Sequence, residues 1–297
     1  MVTHNKALPG RKKTALSTFK KELIFHLMTL PSIVFVIIFN YIPMAGIIIA
    51  FQKFVPARGL FGDQTFVGLE NFAYLFKLPN FVQIIKNTLV ISFFKSMLGL
   101  LVPITVAIML NEVKIKLFKG TVQTLIYLPY FISWVVVASM MIDILSPNAG
   151  LVNGILNRFG IESIYFLGDE KLFPYVMVLS DTWKNFGYGS IIYLAAITGI
   201  DLNLYEAAKI DGASKWQQIW HITLPGMRMI ITLMALLGLG NILNGGFEQI
   251  FNLLNNQVLR TGEILDTYIY KLAFGISTNY SLSAAAGLFK SVISTPY

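Results

Sequence analysis

The chain carries polar and aromatic side chains inside segments that are otherwise hydrophobic, and this mixture suits the binding of a hydroxyl-rich solute. Sugars are recognised by hydrogen bonds to their hydroxyls and by aromatic rings packed on the C–H face of the sugar ring. The candidate side chains are Tyr130, Trp134, Trp183, Asn185, Tyr188, Asn244, Phe247 and Glu248. Any single aromatic among them could instead pack helices or lie at a membrane interface. As a group, they predict a substrate path for a sugar.

The sequence lacks the usual signatures of an enzyme. The chain has no Cys, which removes thiol catalysis, disulfides and Cys-based metal sites. Its histidines, His4, His26 and His221, are too scattered to propose a metal site. Neither a phosphate-binding Gly-x-x-x-x-Gly-Lys-Ser/Thr loop nor a Gly-x-Ser-x-Gly nucleophile turn occurs. We therefore expect no catalytic residue, metal or cofactor in this chain, and no ATP hydrolysis by it.

The elements that must position the polar groups are membrane spans. The 297 residues are 55% hydrophobic and only 13% charged, with a mean hydropathy of +0.66, which predicts an integral membrane protein. An all-α fold is expected, because a helix satisfies its own backbone hydrogen bonds in lipid. The net charge of +8 could suggest a nucleic-acid partner. The basic residues cluster near the ends of hydrophobic runs, however, so membrane orientation explains the charge better and no nucleic acid is expected.

About six transmembrane helices are predicted, with a cytoplasmic N-terminus. Residues 1–21 form a basic tail. We expect this tail on the cytoplasmic side, because Lys and Arg residues that flank a membrane span favour that side. Residues 22–83 provide the first transmembrane helix, at 22–51, and an external loop. Residues 84–297 form the core, with spans at 84–110, 122–145, 173–200, 226–243 and from 280 onward. The last span is short of the ~20 residues that a crossing needs, so the chain is either truncated or ends abruptly at Tyr297.

Charged and glycine residues interrupt three of these spans. A lysine inside a span, such as Lys95, is costly and marks a functional site unless it snorkels or pairs within the complex. Lys95, Lys184 and Arg228 could accompany an anionic substrate such as an acidic sugar oligomer, although Arg228 could equally anchor a helix at the cytoplasmic mouth. The Gly245-Gly246 pair, beside amide and carboxylate groups, predicts a broken helix that lines a cavity.

One long polar stretch, residues 201–225, separates two spans and is predicted to form two short helices. Asn203 is expected to cap the first helix, with Glu206 reaching back to the same turn. The Asp211-Gly212 pair should end it, because Gly readily adopts the left-handed conformation found beyond helix ends.

The second short helix should begin after Ser214, which forms a Ser-x-x-Gln capping pattern with Gln217. It is predicted to run from Lys215 to His221. Pro225 is expected to stop it, since proline disrupts a helix interior.

The same stretch resembles the EAA signature of the permease subunits of binding-protein-dependent ABC importers. The matching residues are Glu206, Ala207, Ala208, Asp211, Gly212 and Ala213, followed by Leu224 and Pro225. In that family this loop is the coupling helix that contacts a cytoplasmic ATPase. The segments 245–251 and 266–268 further resemble the polysaccharide and oligosaccharide branch of MalF-type permeases.

This resemblance implies a type I ABC importer permease fold in the bacterial cytoplasmic membrane, surrounded by membrane lipid. It implies a second permease subunit, two ATPase subunits that bind ATP and Mg²⁺, and an extracytoplasmic solute-binding protein. A sugar oligomer would cross by alternating access, driven by the ATPases through residues 201–225.

Other classes of transporter stay open from the residues alone. An ABC permease for a non-sugar solute would share the 201–225 signature. An ion-coupled transporter or channel should carry membrane-embedded acidic relays, for which Asp181 and Glu248 alone are thin support. An intramembrane enzyme would need a catalytic pair within a span, and none is recognisable.

Overall fold

The computed structural model describes residues 15–294 and is mostly helical. The α-helices are α1 (Ala15–Val36), α2 (Ile42–Met44), α3 (Glu70–Lys77), α4 (Pro79–Glu112), α5 (Lys116–Phe131), α6 (Trp134–Ile144), α7 (Leu151–Arg158), α8 (Phe173–Thr198), α9 (Leu202–Ile210), α10 (Lys215–Gln218), α11 (Leu224–Gly240), α12 (Phe247–Leu253), α13 (Leu259–Gly262), α14 (Leu265–Phe274) and α15 (Tyr280–Ser294). Two short strands, β1 (Gln52–Lys53) and β2 (Thr65–Phe66), pair antiparallel. The all-α prediction is confirmed.

Within residues 15–294, three continuous helical stretches are long and apolar enough to cross a membrane: Phe25–Phe51, Pro79–Glu112 and Lys215–Gly240. Two bent pairs, α5 with α6 and α8 with α9, raise this number to five if each pair is one span. The sixth predicted span falls on α15, whose 15 described residues are fewer than the ~20 that a crossing needs. Residues 1–14 of the predicted basic tail and the last three residues of the chain lie outside the described part.

The predicted third span, residues 122–145, is not one continuous helix. It bends by 100° between α5 and α6. Pro129 lies in the last turn of α5, and the Ser133 hydroxyl caps the new helix by accepting a hydrogen bond from the Val136 N–H at 3.4 Å. A serine cap starts a new helix where the old one has ended, so the chain changes direction at residues 132–133.

The prediction that Pro225 stops a helix is wrong. The helix continues from α10 through a π-helical turn, Ile219–Thr223, directly into α11, and Pro225 occupies the first turn of α11. Proline lacks an N–H and its ring clashes with the carbonyl four residues earlier. The π-helical turn just before Pro225 changes the hydrogen-bond register at that point, which lets the helix pass the proline.

Helix α8 packs along α4 and against α5, and these contacts form the centre of the bundle. One core cluster joins Phe173 and Met177 of α8 to Ile91 of α4 and to Ile250 and Ile264. Others join α4 to α8 and α11, and α4 to α14 and α15. The polar residues of α8 are therefore held between α4, α5 and the chain around α12.

Candidate functional site

The α9–α10 hairpin, residues 201–218, is built from local capping interactions. Asp201 caps α9, because its carboxylate accepts a hydrogen bond from the Asn203 N–H at 2.9 Å. The predicted cap, Asn203, is wrong: it already lies inside the helix, whereas Asp201 has the extended backbone that a capping residue needs. Glu206 forms no side-chain hydrogen bond or ion pair within residues 15–294, so it does not reach back to the first turn.

The turn between the two helices follows the sequence prediction. Gly212 has a φ of +77°, in the left-handed region that a glycine adopts most easily. The Ala213 N–H donates to the Ala208 carbonyl at 2.8 Å, which closes the end of α9. Ser214 and Gln217 form the predicted reciprocal capping box of α10. The hairpin shape is thus fixed by contacts within about five residues.

The hairpin presents an exposed surface with apolar side chains. Ile210 is 87% exposed, and Leu202 and Trp216 are also largely exposed. Of the residues that match the EAA signature, Glu206, Ala207, Asp211, Gly212 and Pro225 are exposed, whereas Ala208, Ala213 and Leu224 are half-buried. An exposed apolar patch of this kind is typical of a protein–protein contact. The coupling role of these eight residues stays a prediction.

Two side-chain contacts tie the hairpin to the rest of the bundle. The Lys215 ammonium lies 2.7 Å from the Glu112 carboxylate at the end of α4. The Tyr205 hydroxyl lies 2.9 Å from the Thr223 hydroxyl, just before α11. A displacement of the hairpin would therefore pull on α4 and α11.

Three of the predicted path residues meet around one lysine of α8. The rings of Tyr130 and Tyr188 stack with centroids 3.9 Å apart and planes within 5° of parallel. The Lys184 ammonium lies 5.4 Å from the centre of the Tyr130 ring and 5.6 Å from that of Trp134, both distances suited to cation–π attraction. It also donates to the Tyr130 carbonyl at 2.6 Å. The bend between α5 and α6 thus carries an aromatic group with a cation against it.

Trp183 and Asn185, the neighbours of Lys184 on α8, are placed differently. Trp183 is about half exposed, at 47%, and makes no ring contact with this aromatic group in the described residues. Asn185 is half-buried, and its amide has no hydrogen-bond partner within residues 15–294. The role of Trp183 and Asn185 in the substrate path therefore stays a prediction.

A second break follows α11, as the glycine pair predicted. The helix ends at Gly240, and α12 starts at Phe247, after Gly246 with a φ of +88°. Asn244 and Glu248 are exposed on this segment. The Phe247 ring stacks on Phe251, with centroids 5.1 Å apart. The break brings an amide, an aromatic ring and a carboxylate to one short stretch.

Lys95 is buried and pairs within the chain, so it does not snorkel. Only 8% of the residue is exposed. Its ammonium donates to the Gly245 carbonyl at 2.8 Å and to the Gln249 side-chain carbonyl, and lies 3.7 Å from the Asp181 carboxylate. The Gln249 amide donates in turn to the Met177 carbonyl at 2.8 Å. Together these contacts join α4, α8 and the break before α12.

Sequence reasoning grouped Lys95 with Lys184 only as cations for an anionic substrate, and it did not place Asp181 or Gln249 beside Lys95. Charged residues inside apolar segments were the available signal for the two lysines and the aspartate. No comparable signal marks Gln249, whose buried amide is recognisable only from its contacts with helix α8.

Comparison with known proteins identifies the family to which this chain belongs. Residues 99–297 match the model of the binding-protein-dependent transport system inner membrane component. The chain is 42% identical to the polygalacturonan/rhamnogalacturonan transport system permease protein YteP of Bacillus subtilis (strain 168), over 95% of this chain and 88% of that protein. It is 35% identical to protein LplB of the same organism, over 96% and 89% of the two chains.

The fold is also similar to a solved structure. A chain from the crystal structure of a bacterial ABC transporter involved in the import of the acidic polysaccharide alginate superposes with a TM-score of 0.87 at 38% identity, and the match covers 95% of this chain and 94% of that one. The predicted type I permease fold and the assignment to a transporter subunit rather than an enzyme are confirmed by these matches. This chain belongs to the family of binding-protein-dependent transport system inner membrane components, the permease subunits of ABC importers.

Proposed function

We propose that this chain is one of two permease subunits of an ATP-driven importer that carries acidic oligosaccharides across the bacterial cytoplasmic membrane. The observation that carries the proposal is the stacked Tyr130–Tyr188 pair with the Lys184 ammonium beside it. Aromatic faces suit the C–H surface of a sugar ring, and an ammonium suits a carboxylate. The similar proteins include a permease of a polygalacturonan/rhamnogalacturonan transport system and a transporter involved in the import of alginate, which supports an acidic substrate.

The partners in this proposal are a second permease, two ATPases that bind ATP and Mg²⁺, and an extracytoplasmic binding protein. A similar transporter has been crystallised with an alginate pentasaccharide-bound periplasmic protein, which supports the last of these. The Lys215–Glu112 ion pair places the α9–α10 hairpin beside the lysine-rich turn after α4. Positive charge favours the cytoplasmic side, so this arrangement supports a cytoplasmic hairpin and a cytoplasmic N-terminus.

The mechanism in this proposal is alternating access. Closure of the ATPases displaces the α9–α10 hairpin, whose exposed Ile210 and Trp216 contact them. The Lys215–Glu112 and Tyr205–Thr223 contacts pass the displacement to α4 and α11. The path between the α5–α6 bend and the segment before α12 then opens to receive the sugar from the binding protein, and ATP hydrolysis resets it.

The test is purification of the tagged chain in mild detergent, expressed with its neighbouring genes, followed by reconstitution and ATPase assay. Recovery of a second permease and an ATPase, with hydrolysis stimulated by a binding protein loaded with a uronate oligomer, would support the proposal. Stimulation of hydrolysis only by binding protein loaded with neutral oligomers would contradict the proposal that the substrate is acidic. A stable complex without any ATPase would overturn the importer assignment and favour a channel or an ion-coupled transporter.

Replacing Tyr188 with Ala is expected to weaken sugar uptake without loss of assembly. The change removes an aromatic face on which a sugar ring can pack, and an aromatic contact worth about 0.5–1.5 kcal/mol corresponds to roughly two- to twelvefold in the apparent affinity. The measurement is the concentration dependence of radiolabelled oligomer uptake in proteoliposomes. Tyr175→Ala, an exposed tyrosine at the start of the same helix, is the matched control. Equal uptake by both variants would remove the tyrosine pair from the path.

Trp183→Ala and Asn244→Ala are also expected to lower uptake while leaving the assembled complex intact. Both side chains are exposed in the isolated chain, so their loss should leave little unfilled space in its core. Uptake and complex recovery are measured side by side. Unchanged uptake in both variants would exclude these two residues from the path.

A further inference from the structure

A buried glutamine fastens one part of the predicted substrate path to the bundle. Three of the predicted path residues lie within residues 244–248, which we call the path segment. Gln249 follows this segment in the first turn of α12 and is fully buried. Its amide donates to the Met177 carbonyl and to the Ser180 hydroxyl of α8, both at 2.8 Å. The path segment is therefore anchored directly to α8.

The side-chain carbonyl of Gln249 contacts Lys95, which lies on α4. The Lys95 ammonium donates to this carbonyl and, at 2.8 Å, to the backbone carbonyl of Gly245. The Asp181 carboxylate lies 3.7 Å from the same ammonium. Three acceptors of this chain thus surround a group that has three N–H donors. Since only 8% of Lys95 is exposed, its charge is taken up within the chain.

The backbone of the path segment packs closely on this ammonium. Gly246 has a φ of +88°, in the left-handed region that favours glycine. A Cβ at Gly246 would lie 2.8 Å from the Lys95 Nζ, closer than ordinary van der Waals contact. A Cβ at Gly245 would lie 2.9 Å from the Ile264 side chain on the other side. The two glycines therefore let the segment fit between Lys95 and Ile264.

We propose that Lys95 and Gln249 are positioning residues that hold the path segment in place for the sugar. This inference rests on the proposed function, because it takes the path segment to contact the substrate. Hydrogen bonds to a charged group are stronger than those between neutral groups, and Asp181 compensates the buried charge. Lys95 acts on the sugar only through the segment, unlike a cation that binds a substrate carboxylate itself.

The first measurement is the mobility of the path segment in the assembled complex. This chain has no Cys, so Asn244→Cys provides one site for a nitroxide spin label once any cysteines of the partner subunits have been replaced. Lys95→Met removes the ammonium and is expected to shift the electron paramagnetic resonance spectrum toward the mobile form. Lys86→Met, at an exposed lysine of the same helix, is the matched control and should leave the spectrum unchanged.

The second measurement uses the unlabelled chain and compares uronate-oligomer uptake with stimulated ATP hydrolysis in proteoliposomes. Lys95→Met is expected to lower uptake per ATP by at least about tenfold, the effect of losing a hydrogen bond to a charged group. Stimulated hydrolysis should stay near that of the unsubstituted chain, because the contacts of the α9–α10 hairpin are retained. A general loss of stability would instead lower uptake and hydrolysis together.

Gly246→Ala tests the contact between the path segment and the ammonium. The added Cβ meets the Lys95 Nζ in the unsubstituted chain, whereas a methionine side chain ends one atom earlier. Gly246→Ala is therefore expected to lower uptake more in the presence of Lys95 than in the Lys95→Met background, as for two residues in contact. Equal effects in both backgrounds would contradict this contact.

The remaining outcomes separate positioning from other roles of Lys95. If Lys95→Met does not assemble, Lys95→Met with Asp181→Asn removes both charges of the pair and takes its place. Lower uptake with an unchanged spectrum would overturn the inference, because the lysine would then act on the sugar directly. An unchanged ratio of uptake to hydrolysis would also overturn it. Absence of uronate uptake by the unsubstituted complex would instead contradict the proposed function, and the spectra would still decide whether Lys95 holds the segment.

Discussion

Gly212→Pro is expected to abolish stimulation of ATP hydrolysis by the loaded binding protein while leaving the chain inserted in the membrane. Gly212 has a φ of +77°, whereas proline is locked near −65°. Proline would also remove the N–H that donates to the Lys209 carbonyl at 3.1 Å. The turn between α9 and α10 cannot keep its shape, and the exposed face of the hairpin loses its geometry. We expect stimulated hydrolysis by the reconstituted complex to fall by at least about tenfold, which corresponds to ~1.4 kcal/mol of lost coupling.

Two other substitutions at Gly212, to Ala and to Asn, show how much of the lost stimulation comes from backbone strain. A Cβ at Gly212 would have no atom within 4 Å, so Gly212→Ala tests backbone strain alone. That strain costs roughly 1–2 kcal/mol for an L-residue in the left-handed region, and asparagine tolerates this region better. The expected order of stimulated hydrolysis is therefore Gly, Asn, Ala and then Pro. Normal stimulation in Gly212→Pro would contradict the assignment of this hairpin to coupling.

The hairpin could be predicted from sequence because its determinants are local. The Gly212 turn and the Ser214–Gln217 capping box involve residues at most a few positions apart, and each has a recognisable residue type. The mistaken cap came from the same rules: Asp201 and Asn203 are both good capping residues, and sequence alone did not decide between them.

The helix boundaries at prolines were harder to predict. Pro225 was expected to end a helix, but a π-helical turn carries the helix past it. Pro129 lies in the last turn of a helix that does end, with a 100° bend. The two outcomes differ through the backbone register and the packing around each proline, which the residue type does not encode.

The charged network illustrates what sequence reasoning could not reach. Lys95 was recognisable as unusual because a lysine in an apolar span needs compensation. Its partners Gly245 and Gln249 lie 150 and 154 residues away along the chain. No periodicity or local motif connects positions so distant, so pairing and snorkelling were both open until the helices were placed. The same holds for the stacking of Tyr130 on Tyr188.

Gly187→Ala is expected to destabilise the protein because α5 and α8 approach too closely there for any side chain. A Cβ at Gly187 would lie 1.9 Å from the Ile126 carbonyl oxygen and 2.5 Å from its carbon, both backbone atoms that cannot rotate away. The helices must separate, which strains the Lys184 hydrogen bond to the Tyr130 carbonyl and the Tyr130–Tyr188 stack. Overpacking of this kind typically costs about 1–3 kcal/mol.

The measurement is the apparent midpoint of thermal unfolding of the assembled complex in detergent, together with uptake after reconstitution. Gly99→Ala on α4 is the matched control, because a Cβ there meets no atom within 4 Å and alanine favours a helix over glycine by ~1 kcal/mol. The two substitutions add the same methyl group to a long helix, so helix propensity alone predicts the same gain for both. A lower midpoint and lower uptake in Gly187→Ala only would therefore report the close approach of α5 and α8. Equal midpoints would mean that the two helices are free to separate, and the aromatic group beside Lys184 would then have no fixed geometry with which to recognise a sugar.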